Sequence, residues 1–383
     1  MSRLVFEEVA PEEEARRRAA EAPRPGEADR IKARRRRAVA IWLFVMAALV
    51  ALVAAVGAAT RLAEAGLSIV EWAPIKGILP PFSEAAWSAE FEKYKLIPQF
   101  TESDQMMTLA EFKGIYWWEW AHRLVGRLLG VVFFVPFVVF AAKKWIPAGY
   151  MGRILIFGVL GALQGVLGWW MVSSGLEGSD RVRVAPYRLM AHLGLAALLF
   201  MFMLWTALSL LRPAHELLAA RRRRNKGLMA FAGATLTLLS LQVLAGALVA
   251  GLQAGWQYSD WPMMGGSFFP PEGASIAPFW RNFFEDAATT QFLHRMLAYC
   301  FIGMAVVFWM RARRAGHAEI RRRANWVLGL TLTQVLIGVT ILTHGMPFWL
   351  SVGHQVFAFA LMGAFVWAKH EVAYPREEKI ARA

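Results

Sequence analysis

The chain has 383 residues, 57% of them hydrophobic and only 18% charged, with a mean hydropathy of +0.40. Soluble domains carry roughly 25% charged residues, so a soluble enzyme of this length is disfavoured. The formal net charge of +14 raises nucleic acid as a partner, while the single cysteine, Cys300, excludes an intrachain disulfide and any Cys-based metal cluster.

Residues 1–37 carry Glu7, Glu8, Glu12, Glu13 and Glu14 and no apolar core. They match neither a secretory signal nor an acid-poor transit peptide and read as a solvated cytoplasmic tail, with a bacterial inner membrane favoured over an organelle. Charge-free apolar runs follow at 38–60, 154–176, 189–211, 227–259 and 324–368. Several exceed the ~20 residues a helix needs to cross the hydrocarbon core. Two more spans emerge at 115–142 and 290–310 once a few embedded charges are allowed. The last run is too long for one crossing and is broken by the turn-forming cluster His344, Gly345, Met346 and Pro347, so it reads as a helical hairpin. The expectation is an all-α integral membrane protein with eight transmembrane helices near 38–60, 115–142, 152–174, 187–211, 227–254, 290–310, 325–344 and 349–368.

Lys and Arg set the orientation. With a cytoplasmic N-terminus, the segments 1–37, 143–153, 212–226, 311–323 and 369–383 together hold 30 of the 42 basic residues. Both termini are therefore predicted in the cytoplasm, with 212–226 a cytoplasmic linker and 369–383 a cytoplasmic tail. The charge is topogenic, its partner is the lipid bilayer, and no nucleic acid is expected.

The two halves repeat each other. Gly57, Gly66, Trp72 and Gly77 recur 189 residues later as Gly246, Gly255, Trp261 and Gly266, and Pro80-Pro81 returns as Pro270-Pro271. His122-Arg123 matches His294-Arg295, Gln164 matches Gln334 and His192 matches His354, at offsets of 172, 170 and 162. An even number of helices per half gives both repeats the same orientation. Two pseudo-symmetric four-helix bundles follow, 38–211 with a long outer loop at 61–114, and 227–368.

Four of the eight histidines stand apart. His215, His317 and His370 fall in cytoplasmic loops or ends and read as solvated, and His344 as a turn residue. His122, His192, His294 and His354 each lie a few residues inside the outer end of an even-numbered helix, about 6–9 Å deep at 1.5 Å per residue. Ionisable groups at such depth face the bundle interior. Zinc or copper would want more donors than the two histidines each bundle offers, whereas two imidazoles across a bundle suit the axial positions of a haem iron. Two haem sites near the outer face are predicted, and Arg123 and Arg295 either pair with haem propionates or snorkel to lipid phosphate. One turn before the histidine the halves differ, with Glu119 in the first and Gln291 in the second. Glu119 marks the first bundle as catalytic, unless it only pairs with Arg123 four residues on. Gln164 and Gln334 read as interhelical hydrogen bonds.

The stretches TRLAEAGLSIVEWAPIKGILPP (60–81), EFKGIYWWEWAHRLVGRLLG (111–130), GALQGVLGWWMVSSGL (161–176), DWPMMGG (260–266), QFLHRMLAY (291–299) and GHQ (353–355) resemble, in order, the heme A synthase family over residues 38 to 370. The class resembled is the one shared by bacteria and mitochondria that lacks an outer-loop cysteine pair. The resemblance implies oxidation of the C8 methyl group of haem O to a formyl, giving haem A for cytochrome oxidase. It implies that His122 and His192 hold the substrate haem O, that His294 and His354 hold a haem b cofactor, and that Glu119 stands beside the reacting haem, stabilising cationic character or accepting a proton. Haem O synthase and cytochrome oxidase assembly factors are the candidate partners, and a homo-oligomer a further one. Two rivals remain. A di-haem b-type membrane cytochrome exchanging electrons with quinone explains the histidines but neither the Glu119/Gln291 difference nor the motif series. A transporter with parallel repeats would place its polar groups near the midplane rather than the outer edge.

Overall fold

The computed structural model describes residues 26–376 apart from residue 177. Of the predicted tails, residues 1–25 and 377–383 lie outside the described residues. Among the described residues, eight helices are long and apolar enough to cross a membrane. They are α1 (Glu27–Leu62), α2 (Leu109–Ala142), α3 (Met151–Val172), α4 (Pro186–Leu210), α5 (Lys226–Gly251), α6 (Ala287–Arg313), α7 (Ala318–Thr343) and α8 (Phe348–Ala373). Among the described residues there is no strand, only an isolated bridge between Met264 and Ser267.

Three helix starts differ clearly from the sequence reading, and of these the seventh lies at Ala318 rather than 325 because the stretch 318–324 consists of good helix formers. The first helix begins at Glu27 rather than 38 because the basic stretch 30–37 consists of good helix formers that continue the helix beyond the apolar run. The second begins at Leu109 rather than 115, set by a capping box in which the Thr108 hydroxyl accepts from the Glu111 N–H and Glu111 accepts from the Thr108 N–H. The hairpin falls where expected, with His344 capping α7 and Pro347 preceding α8. His370 is a correction. It is 2% exposed, 3.2 Å from Ser209 Oγ and edge-on to Trp205, because α8 runs on to Ala373 and packs its last turns against α4.

The main apolar core lies where the halves meet. There α4 packs on α1, α5 and α8, and α8 also packs on α1. Leu43, Met46, Met203, Phe308 and Phe365 are completely or almost completely buried in it. Polar bonds cross this interface too, Gln355 Nε2 donating to the Ala54 carbonyl at 2.7 Å and Ser209 Oγ meeting His370 Nε2.

One end of the molecule carries the two long connections, 63–108 and 252–286, and is called the loop end below. The first connection holds a short helix, Glu84–Tyr94, whose Trp87, Phe91 and Tyr94 pack with Phe112 and Tyr116 on the first turns of α2. Trp72 of the same connection meets Trp169 of α3 edge-on at 5.3 Å. The connection is thus folded down onto its own bundle. The halves are also joined at this end through Glu64, whose carboxylate accepts from Arg183 at 2.8 Å and from Gln253 at 3.1 Å. Burial works to raise the Glu64 carboxyl, but the Arg183 and Gln253 donors hold it below the ordinary range.

Candidate functional site

Each of the four singled-out histidines lies against a glycine of the preceding helix. A Cβ built on Gly57 of α1 would stand 2.8 Å from His122 Cε1, and one on Gly168 of α3 would stand 3.0 Å from His192 Cε1. In the second half, Gly246 of α5 and Gly338 of α7 face His294 and His354 in the same way, each at 3.1 Å. No side chain fits in such gaps without displacing the ring, so glycine is what lets each imidazole nestle against its neighbour's backbone. These matched contacts are consistent with the internal duplication.

All four residues are half-buried, and in all four Nδ1 is shut off from solvent with no hydrogen-bond partner. His122 lies within electrostatic reach of His192, and His294 within reach of His354, one couple to each bundle. Among the described residues no group of three or more His, Cys, Asp or Glu gathers as a metal site. The glutamines act on the same helices, Gln164 Nε2 donating to the His192 carbonyl at 2.7 Å and Gln334 Nε2 to the His354 carbonyl at 3.0 Å. They are the interhelical bonds expected from the sequence, and they brace the backbone that carries a histidine. Gln242 Nε2 lies 3.3 Å from His294 Nε2, where the matching residue of the first half is Val53.

Glu119, one turn before His122, is 3% exposed and fully engaged. Its Oε1 accepts from Arg123 Nε at 3.0 Å and Nη2 at 2.5 Å, and its Oε2 accepts from Ser68 Oγ and the Ile69 N–H, both at 2.9 Å. Arg123 also donates to the Ile69 and Glu71 carbonyls, at 2.6 and 2.8 Å. Arg127 continues the row, donating to the Ala73 and Pro74 carbonyls at 3.0 and 2.9 Å. Residues 68–74 are thereby fastened along α2 next to His122.

The second half repeats the arrangement with one change. Arg295 donates to the Tyr258, Asp260 and Met263 carbonyls at 3.2, 3.0 and 3.0 Å, and Gln291 Nε2 donates to the Tyr258 carbonyl at 2.8 Å. Tyr258 and Asp260 stand 189 residues after Ile69 and Glu71, so the same loop positions are held in both halves. Where Glu119 accepts from a loop N–H, Gln291 donates to a loop carbonyl. Asp260 closes its own turn by accepting from the Gly265 and Gly266 N–H groups. Partial desolvation opposes them, but these donors hold its carboxyl below the ordinary range.

The two histidine couples, each ring with a buried and unpartnered Nδ1, fit the axial positions of two haem irons. Arg123 and Arg295 stand beside them with guanidinium groups bonded to loop carbonyls. Ser68, Arg127 and the four glycines were not singled out as site residues. Gly57 and Gly246 did recur in the duplication, and Gly168 and Gly338 share the 170-residue offset of the glutamines, which is the signal that would have found them.

Residues 40–366 match the family model described as cytochrome oxidase assembly protein, COX15-CtaA. The chain is 42% identical to a protein named heme A synthase from Roseobacter denitrificans, over 97% of both chains. It is 45% identical to a heme A synthase from Paracoccus denitrificans over 90% of both. A third, from Beijerinckia indica subsp. indica, is 46% identical over 86% of this chain and 91% of the relative.

Proposed function

The chain belongs to the COX15-CtaA family, among the heme A synthases, and from that premise we propose that it oxidises the C8 methyl group of haem O to a formyl group in its first bundle. The observation that carries the reading is the pair of histidine couples at matched positions, of which one alone has a carboxylate one turn away. In this reading His122 and His192 take the iron of the substrate haem O, and His294 and His354 hold haem b. Haem b supplies a one-electron redox centre when bound.

The chain's own residues position the substrate and handle a proton. The glycine contacts fix both imidazole planes, and Gln164 holds the backbone under His192. Glu119 and Arg123 keep residues 68–71 beside the first couple, covering that flank of the site. With water as the oxygen source, oxidation of the methyl group releases protons as its electrons pass to an acceptor, and a carboxylate nearby is suited to accept one of those protons. Both oxygens of Glu119 are occupied, so it must first release a partner. Ser68 Oγ is the uncharged side-chain partner and the least costly to release. Arg123 and Arg295 serve chiefly as loop fasteners, which leaves propionate binding as a secondary role.

The setting is a bacterial inner membrane, with both termini in the cytoplasm and the loop end facing outward. The concentration of Lys and Arg in the segments at the opposite end supports this orientation. Supply of haem O and use of haem A place a haem O synthase and oxidase assembly factors as partners.

The test is extraction of the non-covalent haems from the purified protein, expressed with haem O available, followed by chromatography and mass measurement. Haem b together with haem O, haem A or a hydroxylated intermediate is the expected result. Two equivalents of haem b and nothing else would overturn the assignment in favour of an electron-transfer cytochrome.

A further inference from the structure

The bundles differ below their first histidines, on the side where the second helix of each meets the third. In the second bundle α6 and α7 pack closely, and Ala305, Val327 and Thr331 are buried. In the first bundle α2 and α3 scarcely touch. No residue of α2 after Glu119 is buried, and on α3 burial is confined to Ile154, Phe157 and Val172.

The side chains that would fill this seam are absent from the sequence. Gly126, Gly130, Gly161 and Gly165 stand where the second half has Ala298, Ile302, Thr331 and Val335. A Cβ on any of the four glycines would meet nothing within 4 Å. At 3.6 residues per turn, Gly126 and Gly130 are rotated about 40° and 80° from His122, away from the flank that faces α1. That other flank is marked by the Val132 carbonyl, which accepts from Trp42 Nε1 of α1 at 2.9 Å. The seam has a floor, because Phe133 lies against Gly158 so closely that a Cβ there would be 2.9 Å from its ring. Phe133 is eleven residues past His122, or about 16 Å further into the membrane at the helical rise. At the head of the seam stand His122 and His192, whose buried Nδ1 atoms bond to nothing in the protein and mark the place of a bound group.

We propose that the seam between α2 and α3 is the binding groove for the isoprenoid tail of the substrate haem. This rests on the assignment of the first bundle to haem O. With the iron between His122 and His192, the tail runs down between the glycine faces towards Phe133 and meets the bilayer along its open side. A haem without a tail needs no such groove, and the bundle assigned to haem b has none. Because lipid is as apolar as the tail, the groove supplies room and fit rather than a large hydrophobic gain. It therefore acts as the element that distinguishes a farnesylated haem from a plain one.

Filling the groove tests this. Gly161→Leu on one wall and Gly126→Leu on the other are each loaded with haem O in one preparation and with protohaem in another, and the bound haems are counted. Overpacking by a leucine is expected to lower haem O occupancy by about tenfold or more, with protohaem occupancy within about twofold of wild type. Undiminished haem b in the second bundle reports that either variant is folded. Unchanged haem O occupancy in both variants, or an equal fall for the two haems, overturns the groove. A wild-type chain that holds haem O no better than protohaem overturns the assignment of the first bundle, and the groove with it.

Discussion

The two bundles use the same frame and finish it differently. Each couples two histidines across its interior, seats each ring on a glycine and fastens its loop with an arginine from the helix that carries the first histidine. The second bundle then closes, with a neutral glutamine at the loop contact and close packing between α6 and α7. The first keeps a buried carboxylate at the loop contact and a gap between α2 and α3. A site that only holds a cofactor gains from rigid packing, whereas a site that must admit a substrate and let a product go needs a part that can yield. The duplication thus serves as an internal control, since whatever both halves share is framework and whatever they do not share is a candidate for chemistry.

The largest effects should come from the histidines, and they test whether the halves are independent. His122→Ala should lose the substrate haem while keeping haem b, and His294→Ala should lose haem b, each lowering conversion by about a hundredfold or more. Haem extraction checks both, and loss of both haems from either variant would show that the bundles do not bind separately.

Glu119→Gln gives the first half the residue that the second half has at this place. It should retain both haems and lower conversion by about a hundredfold, the scale of a lost general base, measured as haem A formed per haem b. Full activity in Glu119→Gln would leave only the loop contact as the role of this residue.

The glycines give a graded pair. Gly57→Ala should weaken haem retention in the first bundle more than Gly246→Ala does in the second, because the added methyl falls 2.8 Å from the ring in one case and 3.1 Å in the other. Costs of about 1–3 kcal/mol are typical of overpacking, and redox or spectral titration of each haem would resolve the order. The smallest effects belong to Gln164→Leu and Gln334→Leu, each removing one bond to a histidine carbonyl at a cost of about 1 kcal/mol, visible as a lower melting temperature.

Much of this architecture was legible in the sequence because a membrane restricts the options. Apolar runs must be helices, basic residues collect at one end, and a duplication reveals itself when the same residues return at a constant offset. The histidines were visible for the same reason, being costly residues at repeated depth. What the sequence hid was the direction of side chains. Arg123 and Glu119 were recognisable as neighbours at four-residue spacing, but nothing in that spacing says that Ser68 and Ile69 complete the carboxylate's bonds from a loop some fifty residues away. His370 was misplaced because its helix runs on to Ala373, five residues past the predicted end, and turns it against Trp205 and Ser209. The gap between α2 and α3 could not be read either, since glycines on a helix signal close packing as often as space.

The bond network at Glu64 bears on the order in which the molecule is built. Glu64 and Arg183 belong to the half that leaves the ribosome first, and Gln253 to the half that follows. The first two can meet once α4 has inserted, but the second donor, Gln253, arrives only after α5 has crossed. The carboxylate therefore gains its full set of partners only when the second bundle has begun to dock, and a nascent chain halted after α4 would expose the α4 and α1 surfaces that α5 and α8 cover in the finished protein. A quality-control protease that reads unpaired helix faces would distinguish the halted chain from the complete one.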